Sequence, residues 1–93
     1  MIKSFGDKDT KLLFDRERTN KLPQALLQRA RNKLLIIHAA TNENDLSIPP
    51  GNYFEKLKGN KKGWCSIRIN DKWRIIFKWA EGNAHDVTII DYH

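Results

Sequence analysis

Between Trp64 and Trp79 the chain alternates so strictly that it permits few folds. Cys65, Ile67 and Ile69 and, after Asn70, Asp71 and Lys72, Trp73, Ile75, Phe77 and Trp79 all fall on the same parity. Alternation at period two is the pattern of strands, and the turn between them decides which side chains share a face. A two-residue turn at Asn70-Asp71 would set Arg68 opposite Trp73 and mix charge with hydrophobes on both faces. A three-residue loop, Asn70 to Lys72, instead gathers both apolar runs on one face. It leaves Trp64, Ser66, Arg68, Arg74, Ile76 and Lys78 on the other. This register is the expected one because it buries no guanidinium. The apolar face must then be covered by other elements. The opposite face should show solvent a basic stripe with one aromatic.

The covering elements are found upstream, where the period becomes helical. Ile2 to Phe5 predicts a short first strand, and Asp7 or Asp9 can cap a helix running through Leu12, Leu13 and Phe14 to about Arg18. Pro23 suits a first helical position. Leu27, Ala30, Leu34 and Ile37 then recur at steps of three and four, predicting a long helix from Leu22 to Ala40. Asn44 to Asn52, with Ile48-Pro49-Pro50-Gly51, is a connecting loop. Further strands are expected at Tyr53 to Leu57 and His85 to Asp91, with turns at Lys58-Gly59-Asn60 and Glu81-Gly82-Asn83. The order is α+β: two helices packed on one face of a small, mainly antiparallel sheet. At 93 residues, positions 1–93 form one domain, since half of so short a chain could not bury a core.

Seventeen Lys and Arg against eleven Asp and Glu leave a formal charge of +6, which points to an anionic partner. No apolar run approaches the length of about 20 residues that a bilayer requires, so no membrane role is expected. The single Cys65 cannot close an internal disulfide, and no signal-peptide pattern opens the chain, so the cytoplasm is the expected compartment. His38, His85 and His93 have no zinc-type spacing, and no glycine-rich phosphate loop is present; neither metal nor cofactor is expected.

The residues suited to chemistry lie on the basic face and at the chain end. Arg68, Arg74 and Lys78 beside Trp64 form the combination single-stranded RNA uses, with bases stacking on the ring and phosphates meeting the cations. Trp73 and Trp79, on the apolar parity, are expected in the core. If the last hairpin turns tightly at Gly82-Asn83, Asp91 lies opposite Arg74, His93 follows two residues along that face and Tyr92 points to the other.

The ends Met1-Ile2-Lys3-Ser4-Phe5 and Asp91-Tyr92-His93, together with Leu12-Leu13-Phe14, Ala39-Ala40-Thr41, Leu57-Lys58-Gly59, Gly63 to Ile67 and Trp73-Arg74-Ile75, resemble HigB-type toxins of the RelE/ParE superfamily. Ser47 to Asn52 with Arg68-Ile69-Asn70-Asp71 is similar to the GraT branch. The resemblance implies the microbial ribonuclease toxin fold. It also implies a type II toxin-antitoxin role, with ribosome-dependent cutting of messenger RNA in the A site, a HigA-like helix-turn-helix antitoxin and, through that complex, operator DNA. On that reading His93 transfers a proton, while Asp91 orients it or accepts a proton. Tyr92 positions substrate, Arg74 and Lys58 hold the scissile phosphate, and Arg68, Lys78 and Trp64 bind RNA. Glu55 stands where the best-known ribonuclease members carry a histidine. It is either a general base beside a His93 acid, or a surface residue pairing with Lys56 or Lys62, which would leave weak cleavage or a noncatalytic ribosome binder or corepressor. A gyrase poison of the ParE type is the other alternative, and the Asp91-Tyr92-His93 end speaks against it.

Overall fold

The computed structural model describes residues 1–91. Two α-helices, α1 (Lys8–Phe14) and α2 (Leu27–Ala39), pack on one face of a four-stranded antiparallel sheet. Its strands are β1 (Glu55–Lys56), β2 (Trp64–Arg68), β3 (Trp73–Ala80) and β4 (Asn83–Asp91), in spatial order β1-β2-β3-β4. The α+β expectation holds.

The register of β2 on β3 is the one that alternation requires. Cys65 pairs with Phe77 and Ile67 with Ile75, and the Ile69 amide donates to the Trp73 carbonyl at 2.9 Å, closing the three-residue loop. Asn70 builds that loop: its Oδ1 accepts from the amides of Lys72 and Trp73. The apolar parity is buried with Ala30, Leu34 and Ile37 of α2, Leu13 of α1, and Leu46. Trp73 and Trp79 sit at the margin of this core, half-buried against it.

The end of α1 and the start of α2 differ from the expectation. Asp7 caps α1 by accepting from the Thr10 amide, but the helix stops at Phe14 because Arg16 turns into the left-handed region at φ 64°. Asp7 pairs with Lys21 and Asp9 accepts from Thr19, folding the polar connection back on α1. Pro23 precedes a 3-10 turn (Gln24–Leu26), so the α-helical part starts at Leu27 and not at Leu22. The proline-rich connection contains two further 3-10 turns, Glu43–Ser47 and Pro50–Asn52. Buried Asn52 ties it down, donating to the carbonyls of Leu46 and Ile48 and accepting from Lys33 of α2.

The first strand is reduced to two parallel bridges, Ile2 to Ala84 and Phe5 to Val87. The cause lies in β4, where Asp86 takes φ 54° and two residues, Asp86 and Val87, oppose Phe77 alone between the Ile76–Thr88 and Lys78–His85 pairs. This is a β-bulge. It turns the Asp86 amide toward Ser4 Oγ and interrupts the ladder that Ile2 to Phe5 would have formed. Farther along, Thr10 of α1 accepts from the Ile89 amide, so α1 helps to close the outer edge of the sheet.

Candidate active site

The face turned away from the helices carries the candidate site, and strand pairing alone brings its members together. Glu55 stands directly opposite Ser66, and Arg68 directly opposite Arg74. Three strands therefore present Glu55, Ser66 and Arg74 on one face. Arg74 Nε donates to Ser66 Oγ at 2.9 Å, and Arg74 Nη2 donates to the Tyr53 carbonyl at 2.6 Å and lies 3.5 Å from Glu55 Oε1. A cation is thereby oriented before any ligand arrives.

The stripe is consequently less open than the alternation suggested. Arg74 is 6% exposed, so the expectation that this register buries no guanidinium is overturned. Tyr53 is the reason: at φ 44° it bends the chain entering β1 so that its carbonyl closes over the arginine. Ser66, the Tyr53 carbonyl and Glu55 offset the desolvation that an isolated charge would suffer. Glu55 itself is exposed, yet it faces Arg74 instead of Lys56 or Lys62. Lys56 points to the helix side and pairs with Glu43 at 2.8 Å, a hydrogen bond that raises the lysine's pKa.

The remaining cations ring this centre. Arg68 turns outward, its guanidinium 5.0 Å from the Tyr53 ring centroid and paired with Asp71. Lys78 pairs across the sheet with Trp64, and both Lys78 and Lys61 place ammonium groups over the Trp64 ring, at 5.9 and 5.1 Å. Trp64 is thus half-buried and holds cations, where the sequence led us to expect an open stacking platform; Tyr53, 58% exposed, is the more accessible ring. Lys58 stands exposed just beyond β1.

Asp91 requires a correction. It pairs with Trp73, not Arg74, and lies on the Trp73 side, 3.6 Å from Lys72 Nζ. Two causes combine. The hairpin turns at Glu81-Gly82, because Ala80 pairs with Asn83, and the bulge then shifts the register by one residue, which changes the face. Arg74 faces Ile90 instead. Tyr92 and His93, assigned to the site from the sequence, lie outside the described residues.

Sequence reasoning missed Ser66 and the Tyr53 carbonyl. A signal for Ser66 existed, since it shares a parity with Arg68 and sits one row from Arg74, but a small polar residue on a face read as solvated suggests no partner. Cys65 is not a competing nucleophile: burial pushes its thiol up to about 11, so it stays protonated at neutral pH.

The chain is similar to known proteins along its whole length. Residues 3–93 match the family model described as RelE-like toxin of type II toxin-antitoxin system HigB. Toxin HigB-1 of Vibrio cholerae is 44% identical over 94 residues, spanning 100% of this chain and 98% of that protein. Endoribonuclease HigB of Proteus vulgaris is 36% identical over the full length of both. Among solved structures, a YafQ mutant from E. coli superposes with a TM-score of 0.61 at 16% identity, covering 98% of this chain and 93% of that one. YoeB in a YoeB-YefM complex from Staphylococcus aureus gives 0.56 at 18%, covering 100% and 98%. At such identities the structures speak to the fold alone, and that fold is the one expected. The full-length sequence matches carry the assignment further: this chain belongs to the HigB family of RelE-like toxins, the toxin half of type II toxin-antitoxin systems, whose partner is an antitoxin.

Proposed function

We propose that the chain is an endoribonuclease that cuts messenger RNA in the ribosomal A site, with Arg74 as its phosphate-holding centre. The observation that carries this reading is the buried Arg74 guanidinium, fixed by Ser66 and the Tyr53 carbonyl beside an exposed carboxylate. The full-length relative named as an endoribonuclease supports it. In RNA cleavage without a metal, the 2′-hydroxyl loses its proton and attacks the neighbouring phosphorus. The P–O5′ bond breaks, the leaving oxygen takes up a proton, and a 2′,3′-cyclic phosphate results. Arg74 offsets the charge gathering on the phosphorane oxygens, and its position demands no reorganisation at that moment. Glu55, within reach of the phosphate that Arg74 would hold, accepts the hydroxyl proton, and His93 returns one to the leaving group. Tyr92 assists at the chain end, and Lys58, Arg68, Lys78 and Trp64 hold the flanking RNA. The antitoxin is of the HigA-like helix-turn-helix kind and brings the pair to operator DNA, and the compartment is the cytoplasm.

Primer extension on messenger RNA in a reconstituted translation reaction tests this. Wild type should cut within A-site codons, also in the presence of a chelator that spares the ribosome's magnesium. Arg74→Ala and His93→Ala should each reduce the rate by about 10²-fold or more. Growth arrest without cuts, unchanged in both variants, would leave ribosome binding as the activity.

A further inference from the structure

Behind Tyr53 the sheet face runs into a groove of about 510 Å³ between α2 and the β2–β3 loop, lined by Arg29, Asn32, Lys33, Tyr53, Arg68 and Asp71. Three cations face one carboxylate here, and Asp71 is already occupied by Arg68. Among the described residues, neither Arg29 nor Lys33 has a carboxylate partner. Lys33 is half-buried, with the neutral Asn52 side chain as its hydrogen-bond partner. Burial lowers the Lys33 pKa, and the nearby Arg29 charge adds to that effect. The exposed Tyr53 ring stands where this groove meets the Arg74 site, since its carbonyl binds Arg74 and its ring carries Arg68.

We infer that this groove is a second backbone site for single-stranded RNA, in which Arg29 and Lys33 hold a phosphodiester neighbouring the one at Arg74 and Tyr53 stacks the base between them. Phosphate is the anion that fits, because a planar guanidinium and a point ammonium on adjacent turns of one helix can share its oxygens. An exposed aromatic between two phosphate positions selects a strand with splayed bases over a duplex. The inference rests on the RNA reading above, but not on cleavage.

The test uses the full chain and a short single-stranded oligoribonucleotide, 2′-O-methylated so that no attacking hydroxyl exists, with binding followed by fluorescence anisotropy over a salt series. Arg29→Gln and Lys33→Gln should each weaken binding and lower the slope of log K against log salt, together by about 0.7, the share of one phosphate contact on a single strand. Tyr53→Leu should weaken binding roughly fivefold or more at unchanged slope. A duplex of the same sequence should compete poorly. Wild-type affinity and slope in Arg29→Gln, wild-type affinity in Tyr53→Leu, or equal competition by the duplex would each overturn the proposal. Arg29 is exposed on α2 and glutamine is a good helix former, so that variant stays decisive even if Lys33→Gln disturbs the Asn52 contact. Groove effects without ribosomal cutting would sink the nuclease reading alone, and cutting with an indifferent Arg29 would sink the groove alone.

Discussion

Arg68 and Arg74 face each other directly across β2 and β3, a pairing of like charges that destabilises a sheet unless the side chains part. They part completely: Arg68 swings out to Asp71 and the Tyr53 ring, while Arg74 lies inward on Ser66, the Tyr53 carbonyl and Glu55. Ser66 is fully buried, so Ser66→Ala leaves a buried guanidinium N–H without its acceptor and should cost about 1–3 kcal/mol, read from urea unfolding. Glu55→Gln removes both a competitor for Arg74 and the proposed base. RNA should bind it at least as tightly as wild type, while ribosomal cleavage falls by roughly 10²-fold or more. Tighter binding with undiminished cleavage would remove Glu55 from the chemistry. The place of Arg74 on the face away from the helices was legible in the alternation of β2 and β3. Its neighbours were not, because a carbonyl donated by a bent backbone has no sequence signature.

At the level of elements, the two hairpins contrast. The β2–β3 register was readable because both strands have one apolar parity, and a one-residue slip would bury Arg68 and expose Ile67. In β4 the parity changes midway: Ala84 is buried, and so are Val87 and Ile89, which alternation from Ala84 would place on the other face. The bulge at Asp86 reconciles the two, and it moved Asp91 away from Arg74. The turn before it has positive φ at both Glu81 and Gly82, the geometry of a type I′ turn, which favours Asn-Gly. Glu81→Asn should therefore stabilise the protein by about 0.5 kcal/mol through relief of left-handed strain, seen as a higher denaturant midpoint at unchanged m-value. On the outer edge, a Cβ at Gly6 would stand 2.0 Å from Thr88 Oγ1, so Gly6→Ala should cost about 1–3 kcal/mol and loosen the Ile2–Phe5 segment on β4.

Across the whole molecule, the long loops are tied to the helices by polar contacts, and one of these makes stability depend on pH. Burial alone would raise the Asp7 pKa, but hydrogen bonds from Lys21 and Thr10 outweigh it and hold the pKa below 3.8. A carboxyl depressed on folding contributes stability above its unfolded pKa, and that contribution fades as pH falls through the folded value. Asp7→Asn keeps an equally good N-cap and loses only the charge. Wild type should therefore melt higher than Asp7→Asn at pH 6, with the gap closing as pH drops below about 4. A gap that persists at low pH would mean that the cap geometry, not the ion pair, carries the effect.

Composition and period together determined the α+β class, the register of the central hairpin and the apolar face, and short motifs in order along the chain carried the family resemblance, because each can be read without knowing what packs on what. Tertiary structure alone decided which cations remain exposed. Whether Arg74 lies in solvent or beneath a carbonyl depends on where Tyr53 bends, and whether Asp91 meets it depends on one extra residue in β4. Arg29 and Lys33 come to lie beside Arg68 because α2 packs on the sheet, with Asn52 holding the loop between them to Lys33. Spacing in sequence reports which face a side chain takes within its own element, and only packing between distant elements brings charges into a common site.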